Sequence, residues 1–123
     1  MPTLLACLST GKGTWTEVNQ LLNAQPWSKV FLITNDFGRQ NYTVRQENVE
    51  LIVVPDILDV HALVQQLKKE LEGKISDFEI ALNLVSGSGK EHMAVLEAVM
   101  ELGLNFRLVT LKENQYHVLG MEI

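Results

Sequence analysis

The hydrophobic positions of this chain fall into two alternating patterns. Short, nearly unbroken apolar runs occupy residues 3–9 (TLLACLS), 29–34 (KVFLIT), 49–54 (VELIVV) and 78–85 (FEIALNLV). Runs of this length, ended by Pro, Gly or Asn, read as strands buried on both faces, the habit of parallel sheets. Between them the spacing changes to that of helices. Trp15, Val18, Leu21 and Leu22 share one face of a helix that ends near Ala24, before Pro26. Val60, Leu63, Val64, Leu67 and Leu71 make a second stripe, with Asp59 as its cap, Lys68, Lys69, Glu70 and Glu72 outside and Gly73 as its stop. A third helix starts at Ser88 and runs to about Leu102, closed by Gly103. Residues 106–111 and 116–119 form two more strands, and the short gap between them predicts a hairpin with an antiparallel last strand.

The order is β-α-β-(loop or short helix)-β-α-β-α-β-β. Strands alternating with crossover helices predict an α/β protein: a Rossmann-like open, mostly parallel sheet with helices on both faces and a C-terminal β-hairpin. Residues 1–123 are read as a single domain. Residues 35–48 are longer than a usual connection and carry aromatic, cationic and amide groups. They leave from the carboxyl edge of the sheet, where such folds bind ligands.

Charge narrows the choice of partner. The net charge of −5 leaves no broad basic surface for duplex nucleic acid. No apolar run approaches the ~18 residues of a membrane helix, and the start of the chain lacks a secretory pattern, so a cytoplasmic protein is expected. Cys7 is the one cysteine; it permits no internal disulfide and reads as a small core residue. His61, His92 and His117 lack metal-ligand spacing, so no metal is expected, and no bound cofactor.

The chemistry concentrates at Ser86-Gly87-Ser88-Gly89-Lys90, where a buried strand turns into a helix. Unpaired backbone N–H groups and the helix dipole meet there beside a lysine, a setting that suits an anion. Ser88 and Glu91 have capping-box spacing, as do Thr14 and Glu17 at the first helix, so local capping by itself accounts for both pairs. Two nucleotide motifs match only in part. A P-loop requires Gly where Leu84 stands and a hydroxyl where Glu91 stands, and a dinucleotide fingerprint from Gly11 and Gly13 meets Thr16 at its third small position. Thr10-Gly11-Lys12-Gly13, after the first strand, is the natural companion loop. Asn35 ends the second strand at the same edge. The third helix carries Met93, Ala94, Val95, Leu96, Ala98, Val99, Met100 and Leu102, apolar around most of its circumference. Either neighbouring elements cover it or part of it meets another subunit, and a two-fold dimer is the expectation.

With Ser9-Thr10-Gly11-Lys12 after the first strand and residues 79–90 (EIALNLVSGSGK) as strand and loop, the chain resembles the CRISPR-associated Rossmann-fold (CARF) ligand-sensing domains. Its loop has one residue more than the family's spacing after Asn83, and a glycine stands before Lys90. The resemblance implies a homodimer whose paired loops bind a cyclic oligoadenylate, an antiviral second messenger. It implies ligand contacts from Ser9, Thr10, Gly11, Lys12, Asn35, Ser86, Gly87, Ser88, Gly89 and Lys90. Some relatives are metal-independent ring nucleases. The same chemistry here would draw on Lys90, Lys12 and Ser9, with Thr10 or Ser88 as further donors, although no general base is evident. Whether the chain is an enzyme stays open. So do two other readings: a Rossmann-type domain for another nucleotide or dinucleotide, and a non-catalytic structural or regulatory interaction protein.

Overall fold

A computed structural model describes residues 2–9 and 12–120, with only the main chain of Lys12. The strands are β1 (Thr3–Cys7), β2 (Lys29–Thr34), β3 (Val49–Val53), β4 (Glu79–Asn83), β5 (Asn105–Lys112) and β6 (Gln115–Val118). The helices are α1 (Trp15–Ala24), α2 (Asp36–Asn41), α3 (Val60–Leu71) and α4 (Gly89–Glu101), with a 3₁₀ turn at Lys12–Thr14. The strands form one sheet of order β3-β2-β1-β4-β5-β6. β1 to β5 run parallel, and β6 returns antiparallel to β5. The fold is Rossmann-like α/β, as the pattern predicts.

Alternation along the buried strands divides the core in two. Leu5, Cys7, Phe31, Ile33, Ile52, Ile80 and Leu82 point to one face, under α3 and α4. Leu4, Ala6, Leu8, Val30, Leu32, Ala81 and Val109 point to the other, under α1 and Trp27. Both faces being covered explains why the strands read as continuous apolar runs. On α3, Leu63, Val64, Leu67 and Leu71 are all buried, each contributing on the order of 1.5–3 kcal/mol. Trp15 and Trp27 are buried with their indole N–H groups on the carbonyls of Ser9 and Leu21, so both tryptophans are core residues.

Several boundaries move from the sequence expectation. β4 ends at Asn83 rather than at Val85, because the Asn83 side chain accepts the Val85 N–H and turns the chain. Phe78, expected in the strand, is exposed. The 35–48 segment contains the short helix α2, capped by Asn35, whose side-chain oxygen accepts the Gly38 N–H. The β5–β6 connection is a two-residue turn at Glu113 and Asn114, both with positive φ, as a right-twisted hairpin requires. The capping box expected at Thr14 and Glu17 does not form: Thr14 lies at φ −92°, ψ −6° and makes no side-chain cap bond. Thr14 closes the 3₁₀ turn and so has a helical backbone, whereas an N-cap hydroxyl needs an extended one.

Candidate functional site

The strand order reverses between β1 and β4, and open α/β sheets leave a crevice at the carboxyl ends of such strands. Two loops meet there. The Ser9 N–H donates to Ser86 Oγ at 3.3 Å, and Ser9 Oγ donates to Glu91 Oε1 at 3.0 Å. A cavity of about 310 Å³ lies beside them, lined among others by Ser9, Asp56, Gly87, Ser88, Lys90 and Glu91.

The helix start is built as its spacing predicts. The Glu91 N–H donates to Ser88 Oγ at 3.2 Å, and the Ser88 N–H donates to Glu91 Oε1 at 2.7 Å, closing the capping box. Glu91 is only 7% exposed. Its carboxylate therefore sits at the positive end of α4 and takes two donors, the part a bound anion would play. The corner supplies its own anion. Donors left over by the box are the Gly89 and Lys90 N–H groups, in the first helical turn where no intrahelical acceptor exists.

Gly87 has a structural cause. Its φ of +100° is a left-handed conformation, and an added Cβ would stand 3.1 Å from Glu91 Oε1, 3.2 Å from Cys7 Cβ and 3.3 Å from His92 Nε2. Over Gly89 the same Cβ would meet nothing within 4 Å, so backbone there opens onto space. His92 turns back on the loop, its Nε2 2.7 Å from Ser86 O. A carbonyl only accepts, so this nitrogen carries the proton. Beneath the loop, burial, with the Glu91 charge adding to it, holds the Cys7 thiol well above its usual range, which leaves it protonated and no nucleophile.

Lys90 points away from the dipole it disfavours. Its Nζ donates to Asp56 O and Leu58 O, both at 2.7 Å, tying α4 to the turn between β3 and α3. Asn35 reaches the same turn, with Nδ2 3.2 Å from Asp56 Oδ1. Among the candidates from the sequence, Ser9, Ser86, Gly87, Ser88, Gly89 and Lys90 thus come together, and Asn35 stands at their rim as a helix cap. Thr10, Gly11 and the Lys12 side chain lie outside the described residues.

Other polar bonds at this edge join residues far apart in sequence. Glu17 Oε2 accepts from Asn83 Nδ2 at 3.2 Å and from Thr110 Oγ1 at 2.8 Å, joining α1, β4 and β5. Asn83 Nδ2 also reaches Val109 O at 2.8 Å. Asp56, following the Pro55 that halts β3, was recognisable only as a residue at the carboxyl edge. Its place beside Lys90 depends on packing between α3 and α4. Among the described residues no group of three His, Cys, Asp or Glu side chains could hold a metal ion. No described helix is long and apolar enough to cross a membrane.

A larger groove, about 530 Å³, runs between α1 and residues 41–49. Its walls are bonded to each other, Tyr42 Oη to Asn19 Oδ1 at 2.8 Å and Gln46 Nε2 to Asn23 Oδ1 at 3.2 Å. It is a polar seam that covers β2 and β3 where a longer crossover helix would otherwise lie. The smaller crevice, at the strand-order reversal and with cation, hydroxyls and open backbone converging, is the better candidate despite its size. No family model and no curated protein matches this chain.

Proposed function

We propose that this chain is a nucleotide-binding module of the ligand-sensing kind, taking a cyclic oligoadenylate in the crevice between the β1 and β4 loops. The observation that carries this is the pair of bonds from Ser9 to Ser86 and Glu91, which holds two loops distant in sequence together at the strand-order reversal. The chemistry of the lining assigns the parts of such a ligand. Phosphate oxygens suit the open backbone N–H groups at Gly89 and Lys90 and the cation beside them. Ribose hydroxyls and the adenine amino group, which donate, suit the carboxylates of Asp56 and Glu91.

The exposed stripe of α4 supports a two-fold dimer. Met93 is 62% exposed and Met100 is 56% exposed, one above the other on a helix whose opposite side fills the core. A second copy packed on this stripe would bring two crevices to one axis and match a ring with repeated phosphates.

Binding without cleavage is the form we propose. Of the groups that could act on a phosphodiester, the Ser9 hydroxyl is hydrogen-bonded to Glu91, and the Glu91 carboxylate is itself held by two donors, which leaves neither poised as a general base. In the alternative, the ligand's 2′-hydroxyl would attack phosphorus, forming O2′–P and breaking P–O5′, with its proton passing to O5′. The test is calorimetric titration of the purified protein, with EDTA present, against cyclic tetra- and hexa-adenylate, AMP and NAD, followed by chromatography of the recovered ligand. Micromolar binding of a ring recovered intact is the expected result. A ring recovered as linear or cyclic-phosphate products makes the protein a ring nuclease, tighter binding of AMP or NAD makes it another nucleotide domain, and no heat from any of them removes the proposal.

A further inference from the structure

Resting on that reading, we infer that Lys90 is a shared clamp, and that ligand phosphate competes with the 55–59 turn for its ammonium group. The Nζ atom lies 2.7 Å from Asp56 O and 2.7 Å from Leu58 O, the two carbonyls that flank Ile57. Ile57 itself is 92% exposed, so nothing on its own side chain holds it in place. The turn is also tied at its ends, by the Asn35–Asp56 side-chain bond and by the Asp59 cap on the Ala62 N–H, and Leu58 packs against the core. Lys90 is the tie across its middle.

A lysine has three N–H donors and carries a full charge. A neutral carbonyl competes poorly with a phosphate for such a donor, because charge-assisted hydrogen bonds are roughly twice as strong as neutral ones. Lys90 stands in the first turn of α4, so a phosphate on the open Gly89 and Lys90 N–H groups is within reach of its own side chain. Drawing the ammonium onto that phosphate leaves the Asp56 and Leu58 carbonyls to water. Occupancy of the crevice is then reported at the surface as a loosened turn with an apolar residue at its tip. Glu91 does not move in this exchange, since two donors and burial hold it.

Carbonyl-carbon and amide NMR on the full chain test this, with cyclic hexa-adenylate as the probe and binding followed in parallel by calorimetry. In the unliganded protein, Lys90→Met should shift the carbonyl signals of Asp56 and Leu58, which lose a charged donor. In the wild type, ligand should shift the amides of residues 88–91 and move the Asp56 and Leu58 carbonyls in the direction the variant does, and ligand should add nothing at those carbonyls in Lys90→Met. Ligand that shifts the 88–91 amides while both carbonyls stay unchanged overturns the clamp and leaves nucleotide binding standing. Absence of binding overturns both. The wild-type measurement decides without the variant, so a poorly folded Lys90→Met does not blunt it.

Discussion

The starts of α1 and α4 carry the same signal, a hydroxyl residue three places before a glutamate, and only one becomes a capping box. Ser88 has an extended backbone at φ −97°, ψ 166°, so its hydroxyl faces the Glu91 N–H. Thr14 is the last residue of a 3₁₀ turn and is already helical at φ −92°, ψ −6°, which aims its side chain elsewhere. The two glutamates then diverge. Glu91 stays at home and fills the anion seat of its helix, whereas Glu17 leaves its helix and ties β4 to β5 through Asn83 and Thr110. Identical spacing in sequence gives a residue two possible partners, and the backbone one turn earlier chooses between them.

That contrast can be broken by substitution. Glu91→Ala should cost about 3 kcal/mol in urea unfolding, since it strips a buried acceptor from Ser88 N–H and Ser9 Oγ at once. Glu17→Ala, more accessible and with neutral side-chain partners, should cost about half as much, and equal losses would deny the difference between the two starts. The glycines follow the same line. Gly87→Ala should cost roughly 2 kcal/mol because its φ is +100° and its space is filled, while Gly89→Ala, in open space, should change stability by less than about 0.5 kcal/mol.

Alkaline pH offers a finer probe of the floor beneath Gly87. Burial raises the thiol of Cys7 in the folded chain. Its stabilising contribution is therefore complete below the unfolded thiol's pKa, about 8.5, and declines above it, because the unfolded chain then loses a proton the folded chain keeps. Stability should fall by up to about 1.4 kcal/mol per pH unit between pH 9 and 10 from this group, and Cys7→Ala should lack that share of the slope. Ser88→Ala should cost about 1 kcal/mol, the usual worth of an N-cap, measured by the same urea midpoints.

The fold was legible because burial on both faces writes itself into strands 3–7 and 29–34 as nearly unbroken apolar runs, and helical stripes such as Leu63, Val64, Leu67 and Leu71 admit one period. The helix start at Ser88 was legible because the whole capping box is local. What lay beyond reach was tertiary competition. Nothing near Lys90 in sequence says that its ammonium will settle on carbonyls more than thirty residues earlier. Glu17 meets Thr110 across most of the chain. Gly87 could be read as ligand clearance until its positive φ, and the closeness of Cys7 to the place where a Cβ would stand, gave it a folding role.

The most direct test of the account is to locate the binding surface residue by residue. Amide NMR spectra of the protein, titrated with cyclic hexa-adenylate, should show saturating shifts concentrated at Ser9, Gly87, Gly89 and Lys90, with the Asn19–Gln46 seam unchanged. Shifts confined to that seam, or no saturable shift at the β1 and β4 loops, would contradict the claim that the strand-order reversal is the site.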